Sequence, residues 1–322
     1  MQHQPKEKLF MKKIFLQFLS VIIGISASGS DFSAMRTEKD TKKRENLQNR
    51  LQEIINKTLK AEFEAFDNDT RKKTSNPALK FYDQSIDRLL QDIPATTVAP
   101  GTVVIWYLYN MGFVIKTPDT CFGIDIHHRH AVKLEPLLDF IATTHNHNDH
   151  YNLPLLRAMT AKGKLVISNF FPAKGYTKAS AYTHEINTVT VHCGESDHNP
   201  TLRNFVMPME FVCTTGDKKF VFFTSGDTYH HSYLQKKSEY VDLYAVHPRC
   251  NMKAIEAAKK LCAKKTLIVH LLEMGHEYNR WRWPFQVGRD EISVFQGNNM
   301  DAYAPVWGEK LLWDGEKINV CQ

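Results

Sequence analysis

The sequence predicts an α/β (α+β) protein: a helical region, then a larger domain of alternating strands and helices. Two observations predict it. Apolar residues recur at helical spacing early in the chain. Leu47, Leu51, Ile54, Ile55, Leu59 and Phe63 mark a helix over 38–70, and Leu79, Phe81, Tyr82, Ile86, Leu89 and Leu90 mark a second over 77–93. Pro94, Pro100 and Gly101 then punctuate the chain. Beyond them, short apolar runs of strand character alternate with helical segments, with no internal repeat and no low-complexity tract.

The chain has 322 residues, 43% hydrophobic and 24% charged, enough for one large domain with an appendage. At its start, Lys12-Lys13 precede a mostly apolar run over 14–25 and the small residues Ser26-Ala27-Ser28-Gly29-Ser30. That order of charged, apolar and small residues is a secretory signal peptide, assigned to 1–28. The apolar run is short for a bilayer span, so no stable membrane insertion is expected after cleavage. The expected location is periplasmic or secreted. Residues 29–100 read as a helical extension that packs on the catalytic domain or serves a homo-oligomer contact.

The net charge is +6, and removing Lys6, Lys8, Lys12, Lys13 and Glu7 with the signal peptide lowers it by 3, to +3. That mild balance, without a basic stripe interleaved with aromatics, argues against a nucleic-acid partner. The basic clusters over 39–44 and 71–73 read as solvated helix ends. Six cysteines show no close pairing, so no obligatory disulfide framework is expected, and Cys262 reads as core on a helix over 254–265.

The most informative run is Thr143-Thr144-His145-Asn146-His147-Asn148-Asp149-His150, directly after the apolar Leu138-Asp139-Phe140-Ile141-Ala142. Imidazole and carboxylate are preferred ligands of zinc, iron and manganese. A strand ending here projects His145 and His147 to one side, because strand side chains alternate. Asp149 and His150 then lie on the turn beyond. One loop can supply two ligands to one metal and two to a neighbour.

These residues resemble the signature of the metallo-β-lactamase superfamily, and the resemblance extends from about residue 101 to the C-terminus. Val103-Val104-Ile105-Trp106-Tyr107-Leu108 and Gly112-Phe113-Val114-Ile115-Lys116 are similar to the family's opening strands. Phe122-Gly123-Ile124-Asp125 is similar to the strand that ends in Asp before the metal loop. Phe220-Val221-Phe222-Phe223-Thr224-Ser225-Gly226-Asp227 resembles the strand whose terminal Asp bridges two metals, and Thr266-Leu267-Ile268-Val269-His270 the strand carrying the last His. Order and spacing are most similar to the branch that includes L-ascorbate-6-phosphate lactonase.

The resemblance implies a four-layer αββα sandwich over 101–322, with metal ligands on loops at one edge. It implies His145, His147 and a third His on one metal, Asp149, His150 and a last-motif His on a second, and Asp227 between them. For the third His, the loop residue His198 is preferred to His192, which finishes a strand. For the last, His270 at its strand end is preferred to His276, which becomes a site-lining residue. His230 is a further candidate at the site entrance. Asp125 is expected to orient a ligating His, since such residues usually donate their free N–H to a carboxylate. Trp281, Trp283, Phe285 and Tyr278 form either an aromatic wall for a substrate or ordinary packing.

Two divalent ions, zinc first and manganese or iron next, imply a metal-bound hydroxide nucleophile and hydrolysis of a small molecule. Asp149 is the candidate catalytic residue, holding the attacking water or relaying a proton. Members of the superfamily that cleave β-lactams often carry Cys where this chain has Asp227. The expected substrate is therefore a lactone, ester or phosphodiester. Two other classes stay open: a non-catalytic exported metal-binding protein, and a di-iron redox member of the superfamily.

Overall fold

Short apolar runs separated by turns build most of this chain into strands. The computed structural model describes residues 31–177 and 182–321. The proposed signal peptide over 1–28 lies outside them.

The helical region opens with α1 (Thr41–Lys57), whose Asp40 side chain accepts the Lys43 N–H as an N-cap. Such a cap is worth about 1 kcal/mol. Next come α2 (Lys60–Asp67) and α3 (Pro77–Ala95), the latter capped by Asn76 with Pro77 in its first turn. The single helix expected over 38–70 is thus two helices, broken at Thr58 and Leu59. The break has a tertiary cause. The Arg282 guanidinium, from the far end of the chain, donates to the carbonyls of Ile55 and Thr58. Thr58 also accepts from the Asn76 side chain. The Arg282 bonds satisfy backbone carbonyls that a continuous helix would have used itself, and Leu59 is left 70% exposed.

Strands β1 (Val103–Tyr107), β2 (Phe113–Lys116), β3 (Cys121–Ile124), β4 (Phe140–Ala142) and β5 (Leu165–Ile167) follow, with α4 (Leu153–Ala161) before β5. Then come β6 (Tyr182–Ile186), β7 (Val189–Cys193), β8 (Met209–Thr215), β9 (Lys218–Thr224) and β10 (Val241–Val246). The chain continues through α5 (Ala254–Leu261), β11 (Ala263–Ile268), α6 (Phe285–Gln296), β12 (Asp301–Tyr303), β13 (Glu309–Trp313) and β14 (Ile318–Val320). The helix expected over 254–265 stops early. Cys262 adopts a left-handed conformation, φ 51°, that turns the chain into β11. Cys262 is therefore an exposed cap residue and not core.

The strands form two seven-stranded sheets, β14-β13-β1-β2-β3-β4-β5 and β12-β11-β10-β9-β8-β7-β6. Both are mixed. In the first, β3, β4 and β5 run parallel and the rest antiparallel. In the second, β9 to β12 run parallel and β6 to β9 antiparallel. The sheets face each other through aromatic pairs, Phe113 with Phe222 at 5.2 Å and Phe122 with Phe211 at 5.3 Å between ring centroids. Each such buried ring contributes roughly 1.5–3 kcal/mol. Helix α4 lies on the side of the first sheet, α5 and α6 on that of the second, and α3 is tied to the first sheet by Lys116 of β2, whose Nζ donates to the Ile93 carbonyl. This is the two-sheet α+β sandwich that the resemblance implies.

The N-terminal helices share its core. Phe63, Tyr82, Tyr109 and Trp307 form one buried aromatic group. Arg44 grips buried Glu309 through two bonds of 2.8 and 2.9 Å, and Tyr303 and the Val306 N–H complete that carboxylate's partners. A fully paired buried carboxylate avoids the cost of an unsatisfied one. No described helix is long and apolar enough to cross a membrane.

Candidate metal centre

Parallel strands place their carboxyl ends together, and open α/β sheets gather ligands there. Here the loops after β3, β4, β9, β10 and β11 deliver Asp125, the His145–His150 run, Asp227, His247 and His270 to one edge of the sandwich. Gly226 makes the approach of Asp227 feasible. Its φ is +50°, and a Cβ there would meet Thr144 at 2.8 Å. Asp125 and His270 also sit at positive φ, 46° and 58°. Non-glycine residues adopt that region at a cost and cluster at functional sites when they do.

The two oxygens of Asp227 face different partners. Oδ2 lies 3.7 Å from His145 Nε2 and 3.3 Å from His198 Nε2. His147 Nδ1 is 3.1 Å from His145 Nε2, which closes the first group. Oδ1 lies 3.5 Å from His150 Nε2. His150 Nε2 is in turn 3.7 Å from Asp149 Oδ2, which is 3.1 Å from His270 Nε2. Ligand atoms of His145, His147, His198 and Asp227 all lie within 4.8 Å of one another, as do those of Asp149, His150 and His270.

Behind these side chains, Asp125 is buried and fully engaged. It accepts from the Thr144 N–H and hydroxyl, both at 2.7 Å, and pairs with His150 Nδ1 at 3.0 Å. That bond turns His150 Nε2 toward the centre, the arrangement by which a carboxylate fixes the tautomer of a ligating His. Asn110 donates to Asp149 Oδ2 at 3.0 Å and holds its rotamer.

The electrostatics are those of a site built for positive charge. Burial opposes ionisation of Asp149 and Asp227, yet His150 first, with other imidazoles, holds both carboxyls well below the usual range. Burial also disfavours a charged His150, but Asp227, Asp149 and Asp125 draw its pKa up to about 10. Burial and the neighbouring His150 push His145 well below its ordinary value. His150 Nε2 and Asp227 Oδ1 are buried without a hydrogen-bond partner. Buried polar atoms are nearly always paired, so these two fit a cation on the His150 side of Asp227, and the donor set suits zinc, iron or manganese.

Not every candidate reaches this centre. His192 lies on β7, bonded to Thr183, and lines a separate groove with Lys219 and Lys237. His230 bonds Ser232 and stacks near His231 outside the cluster. His276 does reach the site, with Nε2 3.9 Å from Asp149 Oδ2. Trp281 and Trp283 line the cavity, whereas Phe285 is buried packing. Three residues went unsingled in the sequence. His247 groups with Asp227 and His270. Its signal was available, since it ends β10 as His270 follows β11. Glu273 groups with Asp149 and His276. Cys250 lines the cavity, its thiol pushed well up by burial and then by Asp227.

The centre opens into a cavity of about 1040 Å³. One wall comes from α2, which contributes Phe63, Glu64 and Asp67. Asp67 pairs with His127 Nε2 at 3.3 Å and accepts from the Tyr82 hydroxyl.

No family model matches the chain, and no curated protein matches it in sequence. Several solved structures are similar to it. A metallo hydrolase from the archaeon Ignicoccus hospitalis is 13% identical over 66% of this chain and 98% of its own, with a TM-score of 0.48. The diiron β-hydroxylase CmlA from Streptomyces venezuelae is 11% identical over 68% of this chain and 54% of its own, with a TM-score of 0.49. An isothiocyanate hydrolase from Delia radicum gut bacteria is 14% identical over 64% of this chain and 98% of its own, with a TM-score of 0.45. The match takes in about half the length of CmlA. Metal-dependent hydrolases are thus among the chain's structural neighbours. Fold and site define a two-sheet α+β protein whose strand ends gather residues able to hold metal.

Proposed function

We propose that the chain is an exported metal-dependent hydrolase of the metallo-β-lactamase superfamily, acting on a small lactone, ester or phosphodiester. In this reading His145, His147 and His198 would hold one divalent ion and Asp149, His150 and His270 a second. Asp227 faces both groups and would serve both, and zinc is the first choice of metal. The observation that carries it is the division of Asp227: Oδ2 faces one imidazole group and Oδ1 the other. Two cations held close together need an anion between them to offset their repulsion.

Divalent ions in such a site supply Lewis acidity and an acidified water. The chain's own residues do the rest. Asp125 and Thr144 fix His150 and His145. Asn110 keeps Asp149 turned inward, ionised and placed to accept a hydrogen bond from the nucleophile. Trp281, Trp283 and Phe63 give the cavity an apolar flank that orients a small organic substrate and limits water. The L-ascorbate-6-phosphate lactonase branch is the finer proposal, resting on the order and spacing of the sequence motifs.

The test is elemental analysis of the mature chain followed by turnover on lactone, phosphodiester, thioester and β-lactam panels. At least two ions per chain and cleavage of one of the first two classes are expected. No bound metal, and none taken up on addition, overturns the reading. Metal without turnover on any panel favours the non-catalytic binding protein. Export is tested by N-terminal sequencing from the native cell, which should begin within residues 26–31. Intact Met1 or Met11 in a cytoplasmic fraction overturns it. One observation favours a second reading. His150, His270 and Asp149 make a group of two imidazoles and one carboxylate, a donor set that suits non-haem iron. Oxygen consumption by the iron-loaded chain with an added reductant would support a di-iron redox role over hydrolysis.

A further inference from the structure

The loop after His270 carries a carboxylate that the two-ion reading does not use. Glu273 is 1% exposed. Its Oε1 accepts from the Tyr109 hydroxyl at 3.1 Å and from the Gly275 N–H at 2.7 Å. The Met274 N–H donates to the same Tyr109 hydroxyl and anchors it. A Cβ at Gly275 would meet Oε1 at 2.8 Å, so a side chain there would push the carboxylate from this position. Oε2 has no hydrogen-bond partner, and it is buried. It points to His276 Nε2, 3.6 Å away.

His276 Nε2 is also 3.9 Å from Asp149 Oδ2, and ligand atoms of Asp149, Glu273 and His276 all lie within 4.8 Å of one another. Two carboxylates and one imidazole converge on one point, and Glu273 Oε2 reaches it buried and without a hydrogen-bond partner. Buried polar atoms are nearly always paired, so this oxygen fits a cation held there. The backbone is braced for this arrangement. Arg282 donates to the carbonyls of Met274 and His276, so the loop cannot drift and take His276 away.

The geometry points to a third cation site, formed by Asp149, Glu273 and His276, beside the proposed pair and sharing Asp149 with it. Its oxygen-rich donors suit a divalent ion of the manganese, iron or zinc kind. His276 is partly exposed at the cavity, so this ion faces incoming substrate. There it would hold an anionic group, a phosphate or carboxylate, at a distance from the scissile bond. The inference rests on the two-ion reading, because Asp149 serves both.

The experiment is metal stoichiometry. The mature chain is stripped with chelator and reloaded with Zn²⁺ or Mn²⁺ in separate arms. Bound ions are counted by elemental analysis after desalting, in wild type, Glu273→Gln and His276→Asn. Three ions are expected in wild type and two in each variant, with Mn²⁺ titration showing the loss of one binding step. His276→Asn lies at the cavity surface and serves if Glu273→Gln does not fold. Two ions in wild type and an unchanged count in the variants overturn the third site and leave the pair standing. No ions in wild type overturn the pair and the third site together.

Discussion

The two sides of the candidate metal centre are built differently. One side is almost all imidazole: His145, His147 and His198 around one oxygen of Asp227. The other mixes Asp149, His150 and His270 with Glu273 and His276 close by. The first takes two of its members from one short loop. The second takes its members from loops after β4 and β11, and a cluster of buried bonds holds them. Nitrogen-rich sites favour zinc, whereas carboxylate-rich ones accept manganese and iron more readily. The difference predicts two ions of unequal affinity, and it can be broken or sharpened by substitution.

Asp227→Ala should have the largest effect, because it removes the one residue that both sides share. Both ions should be lost on desalting and turnover should fall below detection, as elemental analysis and a substrate assay would show. Retention of one ion at full affinity would mean that the sides are independent and Asp227 is no bridge. Next is Asp149→Asn, which keeps shape but removes charge from the mixed side alone. Turnover should fall by roughly 10²–10⁴, the range of a general-base contribution, while the imidazole side keeps its ion. Wild-type rates in this variant would exclude the assigned role.

Asp125→Asn tests support from behind. It touches His150 and Thr144 and reaches neither ion, so metal affinity should weaken by about 10–100-fold, on the mixed side first. His192→Ala is its control. His192 belongs to the outer groove, so competition with a chelating dye should report an unchanged affinity.

The smallest effect concerns the wall that α2 builds beside the mixed side. Burial disfavours a charged His127, but Asp67 first, with Glu273 and Asp149 farther off, raises its pKa from 6.5 to about 9. Burial likewise opposes an ionised Asp67, yet His127 and the Tyr82 hydroxyl lower its pKa from 3.8 to about 2. The raised His127 stabilises the fold fully below pH 6.5, and that contribution is lost as pH rises through about 9. The lowered Asp67 contributes above pH 3.8 and is lost as pH falls through about 2. Thermal unfolding of the metal-free chain should therefore show a melting temperature that falls between pH 7 and 9.5. Asp67→Asn should flatten that slope, and an unchanged slope would place the titration elsewhere.

The sequence by itself determined much of the first side. The run His145 to His150 marked the metal loop, but β4 ends at Ala142, so His145 and His147 sit in the loop beyond it and strand alternation does not place them. The apolar runs of β1 to β4, β9 and β11 were legible because a strand buried on both faces is written as continuous apolar residues. What only the tertiary structure decided involves partners far apart in the chain. Whether His198 or His192 meets Asp227 depends on where the loop after β7 returns, and the β7 ladder carries His192 away. His247 and Glu273 join the mixed side because β10 and β11 run parallel and end together, a register that no local pattern encodes. The helix over 38–70 divides at Thr58 because Arg282, more than two hundred residues later, takes the carbonyls that would have continued it. Periodicity records which face of an element is buried, but the partner that satisfies a particular carbonyl or carboxylate is known only when the chain has closed on itself.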